Sequence, residues 1–228
     1  MTTTWCDELG VFDLETTGID VEASRIVSAH VGVINTHGEC IERFDWLADP
    51  GIEIPLQASA VHGITTERAR AEGRIAAEVV SEIVDALRGL FARGLAVTIY
   101  NAPYDLTLLN REAIRYGIAP LDTPSPIIDP LVIDKALDRY RKGKRTLEAA
   151  ALLYGVELLD AHDAGADAIA AGRVAQAIAR AYPDGLGADV TELHGLQVGW
   201  CAEQAASFQE YMRRTRPDFT TSGGWPER

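Results

Sequence analysis

The sequence predicts a single α/β domain, with a mixed central sheet flanked by helices. Strand-like runs fill the first third of the chain, and short apolar strands alternate with amphipathic helical segments in the rest. A strand hairpin followed by alternating strands and helices favours a sheet that combines antiparallel and parallel pairs. The 228 residues suffice for one domain with a sizeable core and are too few to favour two.

Three apolar runs predict the first strands. Leu9–Glu15 is closed by the turn sequence Thr16-Thr17-Gly18, and Arg25–Asn35 is rich in valine, isoleucine and alanine. Cys40–Leu47 alternates between polar and apolar residues. The last two runs are joined by a short link that ends at Gly38, which predicts an antiparallel hairpin.

Helical periodicity begins at Ile75, from which apolar residues recur every three or four positions as far as Leu90. The remaining predicted elements are a strand over Leu95–Tyr100, a helix over Tyr104–Tyr116 capped by Asn101, a strand over Ile127–Asp129, and helices over Leu131–Tyr140, Thr146–Tyr154, Ala164–Ala181 and Leu193–Arg214. Beyond Thr215 the proline and glycine content predicts an extended tail.

Composition favours a soluble protein of the cytoplasm. No apolar run approaches the roughly 20 residues that span a bilayer, and Met1–Gly10 lacks the features of a secretory signal. The three cysteines are odd in number and widely spaced, as is typical of reduced thiols. The formal net charge of −13 is unusual for a protein that holds nucleic acid through its phosphates, although net charge does not fix the sign at one site.

Asp13 and Glu15 are candidates for a metal site. They lie two residues apart in a strand, so both side chains point to one face. The surrounding strand is apolar enough to be buried, where two like charges are costly unless a cation neutralises them. Hard divalent ions take such oxygen ligands. The alternative is that the strand ends at Asp13 and both acids face water.

Further acids follow along the chain. Asp105 would lie in the first turn of a helix, where the helix dipole favours an acid whatever its function. His162 and Asp167 are five residues apart. If Asp163 caps the next helix, His162 lies on the preceding loop and can approach Asp167. The alternatives are an ordinary loop histidine and a solvated acid.

Four segments together resemble the DnaQ-like (DEDDh) 3′→5′ exonucleases. They are Phe12–Gly18, Val61–Thr65, Asn101–Asp105 and His162–Asp167, in the order and spacing of that family. Tyr100 stands where the family usually has histidine before the asparagine of the second motif. Because that position does not ligate metal, the departure affects local packing more than catalysis.

The resemblance implies a ribonuclease H-like fold and two divalent cations, Mg²⁺ or Mn²⁺. It implies that the cations are bound by Asp13, Glu15, Asp105 and Asp167, with His162 as the general base. It also implies contacts to the terminal nucleotides from Leu14, Thr16, Thr17, His62, Ile64 and Asn101. Another candidate contact to nucleic acid is the basic cluster, formed by Lys135, Arg139, Arg141, Lys142, Lys144 and Arg145. A solvated helix face and loop is its alternative.

The predicted function is a metal-dependent exonuclease that releases nucleoside monophosphates from single-stranded or frayed 3′ ends. DNA is favoured, in proofreading or repair, with a DNA polymerase as a possible partner and no membrane association. The alternatives are an RNA-trimming exoribonuclease and a non-catalytic accessory or binding module. The chain is divided into an exonuclease domain over residues 1–182, a helical extension over 183–214 and an extended tail over 215–228.

Overall fold

A computed structural model describes residues 4–158, 161–186 and 189–228. Its six strands are β1 (Glu8–Thr16), β2 (Ile26–Asn35), β3 (Cys40–Asp49), β4 (Arg74–Ile75), β5 (Val97–Thr98) and β6 (Ile127–Ile128). Its helices are α1 (Leu56–His62), α2 (Thr66–Glu72), α3 (Ala76–Ala92), α4 (Ala102–Arg115), α5 (Pro130–Leu137), α6 (Leu147–Tyr154), α7 (Ala164–Ala181) and α8 (Val190–Arg213).

The strands form one mixed sheet in the order β4-β3-β2-β1-β5-β6. The first three strands pair antiparallel, which confirms the predicted hairpin. β5 is parallel to both β1 and β6, so the carboxyl ends of these three strands point towards the same edge of the sheet, and β1 extends furthest. The predicted mixed sheet with flanking helices is confirmed.

Helices cover both faces of the sheet. The core on one face contains Phe12 of β1 and Ile83 of α3, and the core on the other contains Val11 of β1 and Val174 of α7. α7 lies very close to the sheet at Gly172, where an added Cβ would come within 2.6 Å of the Ile34 side chain. Within the described ranges, no helix is both long and apolar enough to cross a membrane.

Several local details differ from the sequence prediction, since the helix predicted over Leu131–Tyr140 ends at Leu137 and β4 was not predicted. The segment between β3 and β4 contains α1 and α2, which the sequence analysis did not predict. Asn101 occupies the capping position of α4, but it adopts a left-handed conformation with φ 66° and its side chain makes no capping hydrogen bond. The carboxylate of Asp129 takes that role, accepting hydrogen bonds from the N–H groups of Asn101 and Ala102 at 3.0 Å each.

The tail after α8 returns to the body of the protein. Trp225 is only 7% exposed and belongs to the larger core. Its indole Nε1 donates to Asp129 Oδ2 at 3.4 Å. Glu227 accepts a 2.8 Å hydrogen bond from Asn110 of α4. The division into a domain, a helical extension and a tail remains a prediction, and the tail is packed against the helix that carries Asp105.

Candidate active site

Asp13 and Glu15 lie side by side on one face of β1. The strand continues to Thr16, so both residues are within it and both are partly buried. The alternative in which the strand ends at Asp13 is therefore wrong. β1 lies between β2 and β5 in the interior of the sheet, which explains why residues around these acids are buried.

Asp105 reaches the same place from α4. It lies in the first turn of that helix and is 3% exposed. Its Oδ1 accepts a hydrogen bond from the N–H of Leu14 at 3.2 Å. Because Leu14 lies between Asp13 and Glu15, this bond fixes the start of α4 against the two acids of β1.

His162 and Asp167 complete the cluster from the loop before α7 and from its first turn. Asp163 caps α7 by accepting from the N–H of Ala166 at 3.0 Å, as predicted. The N–H of His162 donates to Asp167 Oδ2 at 3.2 Å, which brings the loop back over the helix start. One potential ligand atom from each of Glu15, His162 and Asp167 lies within 4.8 Å of the others.

The crowding of acids raises the pKa values of the two carboxyl groups on β1. Burial is the largest cause of the raised pKa of Asp13, followed by the negative charges of Asp105, Glu15 and Asp167. Burial, with the charges of Asp167 and Asp163, raises the pKa of Glu15 to about 8. Ionising both groups is therefore unfavourable in the metal-free protein.

The pKa values of Asp105 and Asp167 are raised as well. Burial raises the pKa of Asp105, although hydrogen bonds from backbone N–H groups, including that of Leu14, oppose the shift. Burial also raises the pKa of Asp167 to about 6. Asp167 Oδ1 is buried and has no hydrogen-bond partner among the described residues. An oxygen of this kind, beside other carboxylates, fits a hard divalent cation.

This arrangement predicts a pH dependence of stability for the metal-free protein. An acid whose folded-state pKa is raised binds its proton more tightly in the folded state than in the unfolded chain. Its contribution to stability is present at low pH and is lost as pH rises towards about 8, the value for Glu15. In a metal chelator, the melting temperature should therefore fall between about pH 5 and pH 9, and Mg²⁺ should restore it most at the higher pH.

The variant that tests this effect is Asp13→Asn. Removing one like charge should flatten the dependence of melting temperature on pH in the chelated protein. Equal slopes for the wild type and this variant would show that the cluster does not govern the effect. Differential scanning calorimetry across the pH series would make the comparison.

The residues expected to contact the terminal nucleotide lie around the turn after β1. Thr16 Oγ1 lies 2.6 Å from the hydroxyl of Tyr104, and both hydroxyls donate to the carbonyl of Gly18. Thr17 Oγ1 accepts from the N–H of Arg25 at 3.0 Å. These side chains fix the turn next to the acids. The sequence prediction did not include Tyr104 among the site residues. Its position as the aromatic residue directly before Asp105 could have indicated it.

The other predicted contacts do not all share one cavity. His62 and Ile64 lie at the turn between α1 and α2, and they line a cavity of about 450 Å³. His162 and Arg68 line the same cavity, so the structure brings this turn together with the loop that carries His162. Asn101 is exposed at the start of α4 and is not among the residues of that cavity. Leu14 is buried, and its N–H already donates to Asp105.

Part of the basic cluster serves the fold. The guanidinium groups of Arg141 and Arg145 both bind the buried carboxylate of Asp134, the second at 2.7 Å. The carbonyl of Arg145 accepts a 2.8 Å hydrogen bond from the hydroxyl of Tyr100. The tyrosine that replaces the family's histidine thus anchors this loop beside the start of α4.

Comparisons with known proteins agree with this geometry. The RNase T-type family model, described as an exonuclease, matches residues 11–175. The chain belongs to this exonuclease family. A DNA polymerase III subunit epsilon-like protein of Rhodobacter capsulatus is 30% identical over 177 residues, which cover 76% of this chain and 23% of that protein. A PolC-type DNA polymerase III of Lacticaseibacillus paracasei is 29% identical over 172 residues, which cover 75% of this chain and 11% of that protein.

Solved structures of the family share the fold. E. coli exonuclease I in complex with a dT13 oligonucleotide matches with a TM-score of 0.67 and 21% identity, covering 78% of this chain and 42% of that one. The nuclease domain of 3′hExo, a DEDDh family member bound to rAMP, matches with a TM-score of 0.65 and 16% identity. The match covers 78% of this chain and 94% of that one. The resemblance to DnaQ-like exonucleases of the ribonuclease H-like superfamily is confirmed. The chain spans less than a quarter of the two curated relatives.

Proposed function

We propose that this protein is a metal-dependent 3′→5′ exonuclease that releases nucleoside monophosphates from single-stranded or frayed 3′ ends, with DNA favoured. The observation that carries the proposal is the convergence of acids from three separate segments. Asp13 and Glu15 come from β1, Asp105 from α4 and Asp167 from α7, and each has a raised pKa. Such a cluster is costly unless cations fill it.

The four carboxylates would hold two divalent cations, Mg²⁺ or Mn²⁺. When bound, such a pair polarises the scissile phosphodiester and makes a coordinated water more acidic. The carboxylates carry a formal charge of −4 when ionised, which two divalent cations would neutralise. The hydrogen bond from Leu14 to Asp105 keeps the acids of β1 and α4 at a fixed separation, so the site is organised before substrate arrives.

His162 is the proposed general base. Its side chain is 43% exposed, so water can reach the imidazole, and its Nε2 lies 3.7 Å from a carboxylate oxygen of Glu148. An imidazole nitrogen can accept a proton from a water molecule, as a general base must. The backbone bond to Asp167 holds the loop close to the acids while leaving the imidazole nitrogens available.

The DNA preference and a polymerase partner rest on the relatives. Both curated relatives described above carry DNA polymerase III names, and the matching structure of exonuclease I contains a DNA oligonucleotide. We therefore propose DNA as the main substrate and a DNA polymerase as a partner that could tether the enzyme.

The proposed function is tested by the direction and chemistry of degradation. The purified protein, with Mg²⁺ or Mn²⁺, would be given single-stranded DNA and RNA of the same sequence, each labelled at the 5′ end. A ladder that shortens by single nucleotides from the 3′ end, faster for DNA, is the expected result. Matched strands with a blocked 3′ end should persist, whereas strands with a blocked 5′ end should not. Degradation that ignores the 3′ block would contradict the proposal.

Substrate preference should follow from the acidic exterior. With a net charge of −13 the protein cannot offer a long basic track, so it should contact only a few phosphates. Two to four contacts to a single strand predict a slope of about −1.4 to −2.8 for log affinity against log salt. A paired 3′ end must fray first, at a cost of a few kcal/mol. Unpaired or mismatched ends should therefore be degraded faster than blunt ends, and a slope steeper than about −5 would reveal an extended binding surface.

A further inference from the structure

A groove between α5 and α8 combines positive charge with aromatic side chains. It encloses about 590 Å³ and is lined by Lys135 of α5, by Arg139 just after that helix, and by Trp200, Phe208 and Tyr211 of α8, among others. We propose that this groove binds the single strand upstream of the 3′ end that is being cleaved. The inference rests on the proposed function and specifies where the substrate continues beyond the active site.

The groove lies towards the active-site edge of the sheet. β1, β5 and β6 are parallel and adjacent, so β6 lies about 10 Å to the side of β1, and its last residue, Ile128, is level with Val11, two residues before Asp13. Gln197 of α8 bonds the backbone of Ile127 and Asp129 at this end of β6. Seven residues later, Gln204 bonds the carbonyl of Val132 in α5. α8 therefore continues past the end of β6, and the three aromatic residues of the groove all follow Gln197 along this helix.

The charge of the groove is opposite to that of the whole protein. Four cationic side chains line it against the single carboxylate of Glu203. Arg141 and Arg145 are neutralised in part by Asp134. Lys135 and Arg139 form no ion pair within the described ranges, and Arg139 is exposed. In a chain of net charge −13, a groove with two unpaired cations favours a polyanion.

The aromatic residues decide which polyanion fits. Tyr211 is 64% exposed and Phe208 is 49% exposed, so both rings are accessible from solvent. Exposed rings beside cations are the combination that single-stranded nucleic acids use, because bases stack on the rings while phosphates contact the charges. The rings have neighbours within the protein, since Phe219 lies edge-on to Phe208 at 5.5 Å and the Arg214 guanidinium lies 6.0 Å from the Tyr211 ring centroid. An acidic peptide would use the charges of the groove but would bring no base to stack on these exposed rings.

Two exposed positions test the inference without disturbing the core. In Tyr211→Ala, KM for a single strand of about twelve nucleotides should rise by roughly tenfold, while KM for a trinucleotide stays unchanged. In Arg139→Gln, the salt dependence of binding to the longer strand should become shallower by about 0.7 in slope. Arg180→Gln is the matched control, because it removes one exposed cation near the opposite end of α7 from His162.

The length comparison separates this inference from the proposed function. If the wild type did not degrade the trinucleotide, the proposed exonuclease function itself would be contradicted. Activity on the trinucleotide, with equal KM for the longer strand in the wild type and both groove variants, would overturn the groove assignment alone. Binding of a polyglutamate peptide as tightly as the oligonucleotide, and lost in Tyr211→Ala, would also overturn it by assigning the groove to acidic peptides.

Discussion

Asp13→Asn is expected to reduce nuclease activity to background while the protein stays folded. Asp13 is surrounded by Asp105, Glu15 and Asp167, and the substitution removes one of the carboxylates that would bind the cations. In the metal-free protein it also removes a buried like charge, so the melting temperature should stay equal or rise. Initial rates on 3′-ended single strands and calorimetric melting would measure both effects.

The control for this variant is Asp7→Asn. Asp7 is exposed just before β1, so the same charge change there should leave both the rate and the melting temperature near the wild-type values. Titration with Mg²⁺ should stabilise the wild type and the control more than Asp13→Asn. Near wild-type turnover in the Asp13 variant would refute the assignment of the metal ligands.

His162→Ala is expected to slow the chemical step by roughly 10²–10⁴-fold, the usual contribution of a positioned base. Metal binding should survive, because the four carboxylates remain and the bond from residue 162 to Asp167 comes from the backbone. His162 has φ 71°, a left-handed conformation that strains alanine. His162→Asn should therefore show the same loss of rate with less loss of stability, since asparagine tolerates that conformation.

Metal titration distinguishes a base from a ligand at residue 162. One nitrogen of His162 lies within 4.8 Å of carboxylate oxygens of Glu15 and Asp167. At this distance the imidazole could itself bind a metal ion held by the two carboxylates. Isothermal calorimetry should give the same number of Mg²⁺ sites in both variants as in the wild type. A missing site would make His162 a ligand. His37→Ala, on the exposed turn after β2, is the matched histidine control.

The sequence predicted much of this site because its signals are local. The two-residue period of a strand put Asp13 and Glu15 on one face, and the cap at Asp163 put His162 on a loop. The hairpin, the mixed sheet and the long helices also followed from periodicity and turns. The order of the motifs then indicated the family, since no single motif was specific.

What the sequence did not predict depends on distant contacts. The capping of α4 by Asp129 joins residues 27 and 28 positions apart, and no pattern near Asn101 signals it. The pairing of Arg141 and Arg145 with Asp134 likewise becomes visible only once α5 and the following loop are folded together. α1 is short and carries no buried residue, so it lacks the apolar stripe by which helices are recognised.

The contacts of the tail bear on which C-terminal boundary a functional fragment of this protein would need. The family match ends at residue 175, and a fragment with that boundary would contain all five proposed catalytic residues. It would nevertheless lack Gln197, which binds the N–H of Asp129, and Trp225, which donates to its carboxylate. It would also lack Glu227, the partner of Asn110 on α4. The stretch recognised by family resemblance is therefore shorter than the structural module that holds Asp105 in place.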